Sequence, residues 1–253
     1  MGERVVFGVV GDVHAHMAHL EAACAALEAE GPLAAVLLVG DLGDAHLGHA
    51  RLRTPRKDAL WLESVARVLE RARALGASVR YVPGNHDLPT LPDEPRFAGN
   101  LDGRVESLAG VRVAGFGGAG PGFFGFPYEW SDAQARARGI PACDLILAHA
   151  PPRGTSLDLL WDRRRHVGSA FLRERLESHA GAFACGHIHE SGGVELVGRA
   201  ACVNAGGLGA PRGAPQVGLL ALEDGRWRAE HLDLALGARR VVVGPPVAAG
   251  GPP

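Results

Sequence analysis

Only one lysine, Lys57, stands among 26 basic residues, and 28 acidic residues leave a formal net charge of -2. Near such a balance there is no global basic field, which argues against constitutive nucleic-acid or anionic-membrane binding and leaves any anion capture to local features. The four cysteines, Cys24, Cys143, Cys185 and Cys202, sit singly among apolar neighbours with no Cys-x-x-Cys pair. A thiolate zinc site and a disulfide framework are thereby disfavoured, and buried reduced thiols are expected. No apolar stretch approaches the roughly 18 residues of a membrane-spanning helix, and the opening VVFGVVG run lacks the flanks of a signal peptide. A soluble, cytoplasmic protein with no membrane partner is the expectation.

What the chain does have is apolar sequence enough for a full core, 47% of 253 residues. The first half alternates strand-like segments over 5–10, 34–39 and 78–82 with helix-like segments over 15–30 and 57–75. Strands apolar on successive residues, separated by helices, predict parallel pairing with both faces buried. RVESL and VRVAG, between residues 100 and 114, read as a hairpin, 144–148 as a further strand, and 168–179 as a helix. Beyond residue 182 only strand patterns follow, AFACG, GVELVG, AACVN, QVGLLAL and RWRAEHL, which predicts a mostly antiparallel second half. The fold class expected is α/β, two mixed β-sheets packed face to face as a sandwich flanked by helices, in one domain over residues 1–240. A Gly/Pro-rich tail over 241–253 is expected to be disordered.

Five short islands of metal-type side chains each begin where an apolar run ends. They are Asp12 and His14 in GDVH, Asp41 in GDLGD, Asn85 in GNHD, His149 in LAHAPP, and His187 with His189 in GHIH. Open α/β sheets gather side chains on loops at the carboxyl ends of their strands, so five such junctions can serve one crevice. Taken alone, any island has an ordinary reading as a packed histidine or a turn carboxylate. Five together are hard to explain by packing, and seven donors suffice for two ions, the arrangement that serves phosphate-ester hydrolysis. Nitrogen and oxygen donors without thiolate suit Mn, Fe, Zn, Co or Ni and do not select among them.

These blocks, D-x-H, G-D-x-x-D, G-N-H-D, H and G-H-x-H in this order between Asp12 and His189, resemble the calcineurin-like metallophosphoesterase superfamily. Within it, HAPPRGTSLD, HVGSAFLRERLE and CGHIHES are similar to the bacterial and archaeal Icc-related phosphoesterases. The resemblance implies a four-layer metallophosphoesterase fold and two divalent ions, one held by Asp12, His14 and His189 and the other by Asn85, His149 and His187, with Asp41 bridging. It also implies attack of a metal-bridging hydroxide on a phosphomonoester or phosphodiester, no covalent intermediate, and His86 assisting the leaving group. Asp44 matches the position from which that histidine is oriented, with an N-cap or turn carboxylate as its alternative, and Asp87 reads equally as a carboxylate that fixes a loop. A small phosphoester is the expected substrate, with a cyclic nucleotide suggested by family analogy alone.

Departures bound this reading. Ala45 follows Asp44 where the protein Ser/Thr phosphatase branch usually carries an arginine, which argues against a protein phosphatase. Asn204-Ala205-Gly206-Gly207 stands where relatives often have Asn-Pro-Gly-Ser, so Asn204 reads as a turn residue. Gly115, Gly117 and Gly120 spell G-x-G-x-x-G, but Pro121, Gly122 and Pro127 prevent a helix from opening there, and a dinucleotide loop is rejected. The aromatics interleaved with glycine over 115–130, including Phe123, Phe124 and Phe126, pack their loop in one reading and stack on a substrate in the other. Arg51, Arg53, Arg56 and Lys57, and likewise Arg163 to Arg165 before His166, read as solvated charge, with substrate attraction as the alternative. A non-catalytic scaffold is the second reading of the chain, disfavoured because no ligand is missing. A nuclease subunit is the third, for which net charge and fewer than 65 residues after His189 leave little room.

Overall fold

The computed structural model describes residues 4–47, 54–162, 164–209 and 213–247. In β1 (Val5–Val10), Val6 and Val10 share a core with two helices, while Phe7 and Val9 join a second core between the sheets, and all four are buried. Successive side chains of a strand point to opposite faces, so an unbroken apolar run demands a cover on each side. Parallel to β1 lie β2 (Ala35–Leu38) and then β3 (Ser78–Tyr81). On its other side β10 (Gln216–Glu223), β11 (Arg226–Asp233) and β12 (Ala238–Pro246) form an antiparallel meander, giving the order β12-β11-β10-β1-β2-β3.

The outer face of this sheet is covered by α1 (Met17–Ala29) and α2 (Pro55–Arg73). Along α2 the buried residues Trp61, Val65, Val68, Leu69 and Ala72 recur at helical spacing, each large one worth roughly 1.5–3 kcal/mol relative to exposure. The helix starts two residues before the expected position because Thr54 caps it, accepting the Lys57 N–H at 3.3 Å, and Pro55 suits its first turn.

The second sheet has the order β4-β5-β6-β7-β9-β8, from β4 (Val105–Leu108), β5 (Val111–Phe116), β6 (Leu145–Ala148), β7 (Ala182–Cys185), β8 (Gly193–Val197) and β9 (Ala200–Asn204). Its four central strands run parallel and its two edges antiparallel. Leu145, Leu147, Ala182 and Ala184 face the inter-sheet core, whereas Ile146, Phe183 and Cys185 face a third core with α4 (Ala170–Glu177) and the short α3 (Asp132–Arg138). Helix, sheet, sheet and helix therefore stack in four layers, as expected.

Two elements differ from the sequence reading. Helix α3 carries a single buried residue, Ala135, and so shows no periodic stripe; a Ser131–Gln134 capping box starts it. The tail expected from residue 241 onward begins instead as strand, with Val241, Val242 and Val243 paired to Glu230, Ala229 and Arg228. Gly244, Pro245 and Pro246 disguised that β-branched run, and proline is admissible there because β12 is an edge strand. Residues 248–253 of the expected tail lie outside the described residues. No helix among the described residues is long and apolar enough to cross a membrane.

Candidate metal centre

All five islands follow the carboxyl ends of parallel strands: Asp12 after β1, Asp41 after β2, Asn85 after β3, His149 after β6 and His187 after β7. Backbone hydrogen bonds stitch the first two loops together, Asp12 N–H to Gly40 O at 3.1 Å, His14 N–H to Asp41 O at 2.8 Å and Ala15 N–H to Leu42 O at 3.0 Å. Four of the seven candidate ligands adopt the left-handed backbone that non-glycine residues avoid: Asp12 (φ 46), His14 (φ 44), Asp41 (φ 51) and His187 (φ 69). Such residues cost about 1 kcal/mol or more each and persist where the surroundings over-determine them, characteristically at functional sites. Two glycines of the motifs have a steric role as well. A Cβ on Gly84 would lie 2.0 Å from Asp41 Oδ1, and one on Gly186 would lie 2.2 Å from Asp12 Oδ2.

Asp41 occupies the middle of the cluster. Its carboxylate lies 3.6 Å from His14 Nε2, 3.7 Å from His149 Nε2 and 4.0 Å from His86 Nε2, and it accepts the His86 backbone N–H at 2.9 Å. Asp12 approaches His189 Nε2 at 3.2 Å and accepts the His187 backbone N–H at 2.8 Å. His149 Nε2 meets Asn85 Oδ1 at 2.9 Å, while its Nδ1 donates to Val39 O at 2.7 Å, a bond that aims Nε2 into the site. The His187 ring packs edge-on against His149 with centroids 5.0 Å apart.

Burial works against charge here, and the partners decide each outcome. Burial opposes ionisation of Asp41, yet the imidazoles of His149, His86 and His14 outweigh it and hold the carboxyl below the usual range. Asp12 is likewise lowered, with burial opposed chiefly by His189. Burial and then the neighbouring His149 push His187 down to about 3, and burial lowers His14, so both present neutral nitrogen. For His189 burial is overcome by the Asp12 carboxylate and the group is raised.

Several observations fit cations at this place. Donor atoms of Asp12, His14 and His189 all lie within 4.8 Å of one another, and so do those of Asp12, Asp41 and His149. The first trio is the first expected ligand set; the second joins Asp12, Asp41 and His149 where the expected second set joined His149 to Asn85 and His187. His14 Nδ1 and His86 Nδ1 are buried with no hydrogen-bond partner, which in a protein interior calls for an explanation. The donors are oxygen and nitrogen only, from carboxylate, amide and imidazole, the kinds of group that hold divalent cations.

The sequence profile of the Calcineurin-like phosphoesterase superfamily domain matches residues 5–225. The chain belongs to that superfamily. An uncharacterised protein of Methanocaldococcus jannaschii is 32% identical over 133 residues, 49% of this chain and 61% of that protein, so the chain spans less than two thirds of this relative's length. A crystal structure of a Thermus thermophilus protein superposes with a TM-score of 0.60 at 16% identity, covering 95% of this chain and 99% of that one. Vacuolar Protein Sorting 29 from Cryptosporidium parvum superposes with a TM-score of 0.51 at 14% identity, over 96% and 98%. At such identities both bear on the fold alone, and they agree with the four-layer sandwich.

Around the candidate metal centre of this calcineurin-like phosphoesterase domain, the other expected residues fall into place or out of it. Asp87 fixes a loop: its carboxylate accepts Leu42 N–H at 3.1 Å, Gly43 N–H at 3.3 Å and Gly84 N–H at 2.9 Å, joining the second and third islands. Burial, then the nearby Asp41 charge, raises it to about 7. Asp44 shares the cleft with His86, but among the described residues no hydrogen bond joins them, and its carboxylate accepts His46 N–H at 2.9 Å. The turn reading of Asp44 thus describes its geometry, and the orienting hydrogen bond is not made. Asn204 is also a loop tie, donating to Leu157 O and Ile188 O.

The glycine run before the aromatics is a packing device, since a Cβ on Gly120 would lie 2.0 Å from Trp130 O. Arg51, Arg53 and Arg163 lie outside the described residues. Arg56 and Lys57 belong to the first turn of α2, and His166 turns to the buried Asp158 at 2.6 Å; none of these three is among the described lining residues of the cleft. The cleft, about 690 Å³, is lined by the metal-type residues other than Asp12 and His149, together with Phe124, Phe126, Leu160 and Trp161. Leu160 and Trp161 escaped the sequence reading; the only signal was a tryptophan directly before a charged run.

Proposed function

We propose that the chain is a metal-dependent phosphoric ester hydrolase with a binuclear centre, acting on a small phosphomonoester or phosphodiester. One observation carries this reading: five strand ends bring seven oxygen and nitrogen donors into one cluster, with the buried Asp41, itself one of the seven, at its middle, in a chain of this superfamily. Asp12, His14 and His189 would hold one ion, Asn85, His149 and His187 the other, and Asp41 would touch both. When bound, such a pair supplies a water of lowered pKa and stabilises charge on phosphoryl oxygens in an in-line displacement.

The chain's own groups do the rest. The His86 backbone is pinned to Asp41 while its side chain, about a quarter exposed, opens into the cleft. From there it delivers a proton or hydrogen bond to the departing ester oxygen, a contribution of roughly 10²–10⁴ in rate. Asp87 keeps the loops of Asp41 and His86 in one frame, and the apolar walls limit water around the reacting ester.

The test is hydrolysis of bis(p-nitrophenyl) phosphate and p-nitrophenyl phosphate by the purified full chain loaded with Mn. Turnover of either that disappears in Asp41→Ala supports the reading. Inactivity of the loaded protein across a broad phosphoester panel overturns it.

A further inference from the structure

Two exposed aromatic rings, from the loops that follow β5 and β6, line the cleft. Phe124 is 73% exposed and Trp161 62% exposed, although large apolar side chains are normally withdrawn from water. Each has its backbone fixed by a glutamate. Glu129 accepts the N–H groups of Phe124 at 2.8 Å, Gly125 at 2.9 Å and Phe126 at 3.1 Å, and Glu190 accepts the Trp161 N–H at 2.8 Å. Trp161 directly follows the paired residues of a hairpin held by the Leu159–His166 bridge and by Leu160 N–H to Arg165 O at 3.1 Å. Ser191 Oγ donates to Leu159 O, so the hairpin is anchored to residues that directly follow the candidate ligand His189.

The aromatic wall continues down to the reacting group. Phe126 packs on the His86 ring with centroids 4.0 Å apart. A leaving group departing past His86 therefore enters a cleft lined by Phe126, Phe124, Leu160 and Trp161. Among the described lining residues none is lysine or arginine, and Asp44 and Glu190 add negative charge. At these described residues a second phosphate on the leaving group would meet carboxylates and neither lysine nor arginine, whereas a flat uncharged ring would find the exposed Phe124 and Trp161 side chains and apolar surface.

We infer that Phe124 and Trp161 form a clamp for a planar aromatic leaving group, so that the phosphoesters this site takes are those of aryl or heteroaryl alcohols. The inference rests on the phosphoesterase reading above and adds the class of substrate to it. Stacking on such a ring is worth about a tenfold change in affinity per aromatic removed.

The experiment compares two methyl phosphodiesters, one with a phenyl and one with a hexafluoroisopropyl leaving group, alcohols of similar acidity, using the Mn-loaded full chain. In the wild type kcat/KM favours the phenyl ester. Phe124→Ala and Trp161→Ala each lower the phenyl-to-hexafluoroisopropyl ratio roughly tenfold, chiefly through KM, while Trp161→Phe keeps it. A ratio that does not move in either alanine variant overturns the clamp and leaves the hydrolase reading standing, as would be the case if these rings served to dock another protein. If the wild type turns over neither ester, the hydrolase reading is in difficulty, and the clamp is then judged by binding. Phenylphosphonate should quench the fluorescence component that Trp161→Phe removes, and no quench overturns the clamp too.

Discussion

The backbone N–H of His86 donates to Asp41 Oδ1 at 2.9 Å, so the candidate proton donor is held by the carboxylate at the centre of the ligand cluster. In the proposed reading, a shift of Asp41 would therefore move both the candidate ligand cluster and His86.

Asp41→Asn keeps the shape and removes the charge. The expected result is loss of bound metal, read by elemental analysis of the purified protein, with kcat/KM falling by roughly 10²–10³ or more. Wild-type metal content and activity in this variant would remove Asp41 from its central role.

Replacing His86 separates the acid from the ligands. His86→Gln should retain metal, and its loss of kcat should grow as the leaving alcohol becomes less acidic, reaching about 10²–10⁴ for poor leaving groups. An equal loss across a leaving-group series would point to positioning of the phosphate instead.

Gly186→Ala inserts a methyl group 2.2 Å from Asp12 Oδ2. The carboxylate has to move, so metal affinity should fall at least about tenfold in a titration while the fold, by circular dichroism, persists. Unchanged affinity would mean that the loop yields easily.

Removing residues 241–253 tests the strand that replaced the expected tail. Losing the pairs of Val241, Val242 and Val243 with β11, and the packing of Val242 on the inter-sheet core, should cost roughly 2–4 kcal/mol in urea unfolding. An unchanged midpoint would show that the edge strand adds nothing.

His231 gives a pH signature away from the metals. Burial, then the charge of Arg240, pushes it from 6.5 down to about 4, and it donates from Nε2 to Gln216 Oε1 at 3.0 Å. Between those values the unfolded chain binds the extra proton, so His231 leaves stability intact above pH 6.5 and lowers it as pH falls towards 4. His231→Gln should flatten the pH dependence of unfolding across that window by up to about 3 kcal/mol. Parallel curves for the two proteins would refute this placement of the proton.

Much of the architecture was legible in sequence because local rules carry it. Two-sided apolar runs gave β1, β2, β6 and β7, and the abrupt change from apolar run to Asp, Asn or His marked the strand ends at Asp12, Asp41, Asn85, His149 and His187. Helix α3 was invisible since one buried alanine makes no periodicity, and β12 was masked by its closing prolines.

Residue types and their order determined that donors for cations exist and stand at the ends of strands. Which donors meet was decided by tertiary structure. Asp12 accepts the His187 N–H from 175 positions away and Leu42 bonds to Asp87 across 45, distances over which no spacing rule operates. The same holds for the walls: Phe124 and Trp161 face one cleft only because β5 and β6 send their loops to the same edge of the sheet. Local periodicity is a property of neighbouring residues, whereas a site is made where parallel strands bring distant loops together.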